Sequence, residues 1–110
     1  MLPTNEAFSR VRIDAQLKDQ GWDVLDTSAV RFEVVLPDRT KADYVLCDRH
    51  GRALAVVEAK RAAINPAEAE AQARAYAQQL NVPCIFLANG EEIRFWDWRR
   101  DAFPRPVKTF

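Results

Sequence analysis

The sequence predicts an α/β domain with a central mixed β-sheet flanked by helices on both faces. Three observations carry that prediction. Helical and strand patterns follow one another in the order helix, three strands, helix, two strands. The second helix joins two short apolar runs, as in a right-handed strand–helix–strand crossover. The 110 residues are 48% hydrophobic and 29% charged, which suits one small domain with one core.

Residues 5 to 20 read as the first helix. Thr4 or Asn5 can cap it, Glu6 suits its positive end, and Gly21 stops it. Phe8, Val11 and Ala15 form an apolar stripe, widened by Ile13 and Leu17. Glu6 and Arg10 stand one turn apart on a shared face. After Trp22, Val24 and a polar link, Val30 to Leu36 reads as a strand ended by Pro37-Asp38. Two further strands, at about residues 42–48 and 53–60, flank the polar turn Asp48-Arg49-His50-Gly51-Arg52.

The second helix has the clearest start. Asn65 is its cap, Pro66 takes the first helical position, and Glu68 completes a capping box. Its stripe is Ala69, Ala73, Tyr76 and Leu80, with Asn81-Val82-Pro83 closing it. Gln72 and Tyr76 lie one turn apart. Cys84 to Leu87 is a continuous apolar run, as expected of a central strand covered on both faces. Ala88-Asn89-Gly90 is a turn, Ile93 to Trp98 the last clear strand, and the proline-containing tail from Asp101 an edge strand or linker.

Composition excludes several functions. A formal net charge of zero argues against strong non-specific nucleic-acid binding by bulk charge. No apolar run reaches the roughly 18–20 residues of a membrane span, and no secretory signal is evident, so a cytoplasmic location is expected. Cys47 and Cys84 fall in strands and read as small buried hydrophobes with free thiols. No Cys/His cluster suggests zinc, His50 is a turn residue, and no glycine-rich nucleotide cradle is present.

The chemistry concentrates in the hairpin. A turn centred on His50-Gly51 sets Asp43 opposite Glu58 and Asp48 opposite Ala53. Side chains directly opposite lie about 4.5–5.5 Å apart at Cβ, where two carboxylates repel. A divalent cation between them removes that penalty. Strand periodicity puts Lys60 on the face of Glu58. An acid in so apolar a strand costs free energy unless it is paired or metal-bound.

These residues resemble the PD-(D/E)xK nuclease superfamily. More closely, the chain looks like the amino-terminal nuclease domain of type I restriction endonuclease motor subunits. The matching stretches are RIDAQLKDQGW (Arg12 to Trp22), KADYVL (Lys41 to Leu46), AVVEAKR (Ala55 to Arg61), QARAYA (Gln72 to Ala77) and NGEEIRFWDW (Asn89 to Trp98), in the family's order. The resemblance implies a restriction-endonuclease-like, three-layer α/β/α fold over residues 1–110 and a Mg²⁺-dependent DNA endonuclease, with Mn²⁺ as a substitute. It implies Asp43, Glu58 and the Ala59 carbonyl as metal ligands, with Glu6 assisting. Lys60 would orient or activate water, or stabilise charge on the phosphate. Gln72 and Tyr76 would shape the site and contact DNA. Arg10, Arg12, Lys41, Arg61 and Arg74 are the candidates for a DNA track. The superfamily's proline is Ala42 here.

The implied partners are double-stranded DNA, the ATP-driven translocase domain, and the specificity and methyltransferase subunits of a type I complex. The family's subunit continues into that translocase, so the 110 residues are expected to be part of a larger subunit or a short relative. Two alternatives stand beside this reading. One is a nuclease-fold binding module using Phe95, Trp96 and Trp98, although core packing is the commoner role for such residues. The other is an RNA-directed or structure-specific nuclease on the same fold, since a metal site that grips phosphate carries no base information.

Overall fold

The structure, a computed structural model, describes residues 5–59 and 66–110, with side chains for 10–59 and 68–110. Along the chain, α1 spans Asn5–Asp19, β1 Val30–Val35, β2 Lys41–Cys47, β3 Ala53–Ala59, α2 Pro66–Leu80, β4 Cys84–Ala88, β5 Ile93–Trp96 and β6 Arg105–Val107. The strands form one sheet in chain order. Its pairs are antiparallel except β3 with β4, which run parallel because α2 carries the chain back between them. The tail is therefore an edge strand.

The two helices cover opposite faces. Ala73, Tyr76 and Ala77 of α2 pack on Val45, Val56 and Ile85. Ile13 and Leu17 of α1 pack on Tyr44, Leu46, Ala55 and Val57. Alternate residues of β2 and β3 thus feed two separate cores, and β3, buried from Ala55 to Ala59, lies between them. Small alanines on α2 let its axis approach the sheet closely.

Both helices stop by the same device. Gly21 at φ +88° ends α1, with the Trp22 amide donating to the Leu17 carbonyl at 3.0 Å. Asn81 at φ +54° ends α2, with the Val82 amide donating to the Ala77 carbonyl at 3.1 Å. Pro66 opens α2 as expected, while Thr4 and Asn65 lie outside the described residues.

Three expectations are corrected. On α1, Val11 is 68% exposed and Ala15 also faces solvent, whereas Ile13 and Leu17 are fully buried. Val11 and Ala15 lie on a different side of the helix from Ile13 and Leu17, and the sheet takes the side bearing Ile13 and Leu17; the Phe8 side chain lies outside the described residues. At the hairpin, Cys47 and not Asp48 pairs with Ala53, because a bulge leaves Leu54 without a partner. Asp48 instead closes the turn, its Oδ1 accepting from the amides of His50 at 2.8 Å and Arg52 at 2.9 Å. Finally, β4 is central but incompletely covered: Phe86 and Leu87 are half-buried, and Phe110 from the tail packs on the Phe86 ring at 5.1 Å.

Cys47 and Cys84 are free thiols, and burial raises the pKa of Cys84. Trp96 is buried, its indole N–H donating to the Asp101 carbonyl at 2.9 Å. Trp98 donates to the Val82 carbonyl at 2.8 Å, and the Phe95 ring packs tilted against Phe86 at 5.3 Å between centroids. Trp96 thus serves the core, while Phe95 and Trp98 are half-buried. No helix among the described residues is long and apolar enough to cross a membrane.

Candidate active site at a fork between two strands

The β2–β3 ladder runs through Leu46↔Ala55, Val45↔Val56 and Tyr44↔Val57. One more step brings Asp43 opposite Glu58. There the ladder stops: β2 continues against β1 through Ala42 and Lys41, and β3 continues against β4 through Glu58 and Ala59. The two strands part. Asp43 and Glu58 stand at the opening of that fork.

Each carboxylate takes over a backbone bond of the missing ladder. The Asp43 amide donates to Glu58 Oε1 at 3.1 Å, and the Ala59 amide donates to Asp43 Oδ2 at 2.8 Å. This exchange satisfies buried amide groups where the strands separate. It also explains how Glu58, only 2% exposed, is accommodated in a strand of alanine and valine. By strand alternation both acids lie on the face of Val45 and Val56, the side on which Tyr76 packs. Burial first, then the Glu58 charge, raises the pKa of the Tyr76 phenol. Gln72, one turn earlier on α2, is exposed.

α1 reaches the same fork from the other layer. The Tyr44 hydroxyl donates to Asp14 Oδ1 at 2.7 Å. That contact fixes the helix against β2 and brings Arg10, one turn back, beside Asp43. Arg10 Nη2 donates to Asp43 Oδ1 at 2.5 Å and Nη1 to Glu33 Oε1 at 3.2 Å. Gln16 anchors the far side of α1, donating from Nε2 to the Gly90 carbonyl at 3.3 Å.

Glu33 was not foreseen. The pairs Phe32↔Tyr44 and Val34↔Ala42 bracket it opposite Asp43. Its backbone sits at φ +46°, a left-handed conformation that costs a residue with a Cβ about 1–2 kcal/mol. The hairpin reasoning that set Asp43 against Glu58 finds Glu33 too, when applied to the turn at Asp38.

Of the other expected site residues, Arg12, Lys41 and Arg74 are exposed. Lys60, Arg61 and the side chain of Glu6 lie outside the described residues. Among the described residues, no three His, Cys, Asp or Glu side chains gather as a metal-binding cluster. The fork offers two close carboxylates flanked by backbone, with a guanidinium against one of them. Hard oxygen donors of this kind suit a small divalent cation that keeps most of its own water.

Comparison with known proteins bears on this arrangement. A fragment of a protein assigned as an HsdR subunit of a type I restriction enzyme from Vibrio vulnificus YJ016 superposes with TM-score 0.75 at 26% identity. The match covers 100% of this chain and 24% of that one. The type IIG restriction endonuclease BpuSI shares the fold at TM-score 0.63 and 21% identity, over 99% of this chain and 15% of that one. The chain thus spans about a quarter or less of these proteins. No curated protein matches it. Residues 17–104 match the family model described as type I restriction enzyme R protein N terminus. With most of its length matched, and with its mixed six-stranded sheet and two helices superposing on the HsdR fragment, the chain belongs to the family of type I restriction enzyme R protein N termini.

Proposed function

We propose that this domain is a Mg²⁺-dependent endodeoxyribonuclease acting in a type I restriction system, with sequence choice made by other subunits. One observation carries the reading: the fork holds Asp43 and Glu58 interlocked through each other's strands. Family membership supports the same reading. So does the chemistry of the donor set, two hard carboxylates beside the Ala59 backbone.

Asp43 and Glu58, with the Ala59 carbonyl, would hold the cation, and Glu6 would assist from α1. When bound, the cation supplies a water made nucleophilic near neutral pH and neutralises charge on the phosphate. The protein's own groups do the rest. Reciprocal amide bonds hold both carboxylates in place. Lys60 follows β3 directly and would place its ammonium beside the developing charge on the phosphate. Tyr76 would wall the site from α2, and Gln72, on the exposed side of the same helix, would contact a DNA strand. Arg12 and Arg61 are the further candidates for backbone phosphates. Double-stranded DNA would be delivered by the translocase domain and by the specificity and methyltransferase subunits.

The test is plasmid nicking in Mg²⁺ or Mn²⁺ by the wild type beside Lys60→Ala and Glu58→Gln. Nicking by the wild type alone is expected. Equal nicking by all three proteins refutes the assignment.

A further inference from the structure

We propose that Arg10 is the resident counter-cation of Asp43, and that Glu33 is the side chain that takes Arg10 over when a divalent cation arrives. The proposal rests on the metal-site reading and adds a second state to it. Arg10 bridges both acids, with Nη2 on Asp43 Oδ1 and Nη1 on Glu33 Oε1. A cation at Asp43 competes with the guanidinium for the same oxygen, because two positive charges held that close repel each other. The Tyr44–Asp14 bond ties α1 to β2 one turn further along the helix. Release is therefore a movement of the Arg10 side chain alone, and Glu33 already holds its other nitrogen.

The strain at Glu33 supports this role. Its side chain is 57% exposed, and so exposed an ion pair adds little to folding. Yet the backbone there adopts φ +46° with a bulky side chain attached. Backbone held in so sparsely populated a region is found preferentially at functional sites. Asp43, by contrast, is 12% exposed and Arg10 33%, so the contact that is exchanged is the sheltered one.

The experiment is Mn²⁺ titration by calorimetry into the wild type, Arg10→Gln, Glu33→Gln and the double variant, with Asp43→Asn as reference. Arg10→Gln should tighten binding about tenfold by removing the competitor. Glu33→Gln should weaken it about threefold by removing the parking place. The double variant should match Arg10→Gln, because Glu33 acts only through Arg10. Thermal unfolding in EDTA reads the resident state without metal: Arg10→Gln and Asp43→Asn should each lower Tm, and together no further than the worse of them.

If the Glu33 effect persists undiminished in the Arg10→Gln background, Glu33 is merely a nearby charge and the proposal falls. Unchanged affinity in Arg10→Gln overturns it equally. Should Arg10→Gln fail to fold, Arg10→Lys enters the same cycle: a point charge cannot fork across both acids, so the Glu33→Gln effect should vanish in that background, and its persistence overturns the proposal. A wild type that binds Mn²⁺ no better than Asp43→Asn overturns the metal-site reading itself, and this proposal with it.

Discussion

Tyr44 shows how one side chain can serve both the fold and the site. Its ring lies in the α1-side core against Phe32, at 5.2 Å between centroids, and its hydroxyl fixes Asp14. Burial first, and then the hydrogen bond to Asp14, raises its pKa well above the ordinary value of 10.0. Tyr76 is shifted the same way. A group with a raised folded-state pKa contributes stability that is full below its unfolded value and lost as pH rises through the folded one. Urea unfolding should therefore show stability holding to about pH 10 and falling above it. Tyr44→Phe should cost about 1–2 kcal/mol at neutral pH and flatten the alkaline decline. An unchanged alkaline slope would mean that Tyr44 is not the group responsible.

Among the elements, α1 was the hardest to read. It has apolar residues on two sides, and periodicity alone does not say which side meets the sheet. Leu17→Ala should destabilise by about 2–4 kcal/mol in denaturant unfolding. Val11→Ala should stay within about 0.5 kcal/mol. The reverse ranking would place the wrong face of α1 on the sheet, and with it Arg10 away from Asp43. By contrast, α2 and the β2–β3 hairpin were legible, because caps, turn residues and hairpin register are local. Only the bulge at Leu54 shifted the register, and it lies on the turn side of the paired rungs, away from the acids. The contacts that were not legible join Arg10 to Asp43 and Asp14 to Tyr44, across 33 and 30 positions.

At the scale of the whole molecule, zero net charge limits non-specific attraction to any nucleic acid. Non-specific affinity follows counterion release by lysine and arginine facing phosphates, and here basic and acidic residues balance at 16 each. Fluorescence anisotropy on duplex DNA at physiological salt should give a Kd of about 10⁻⁴ M or weaker. Micromolar binding would reveal a basic track that bulk charge conceals.

By itself the sequence determined the order of elements, the ends of both helices and the pairing that aims Asp43 at Glu58, because each depends on neighbours within one turn or hairpin. Tertiary structure alone decided that β2 and β3 separate at those acids, that each carboxylate replaces the other strand's lost hydrogen bond, and that α1 sets Arg10 against Asp43 with Glu33 beside it. These depend on how two layers dock on one sheet, and docking follows the burial of whole faces, which no local pattern encodes.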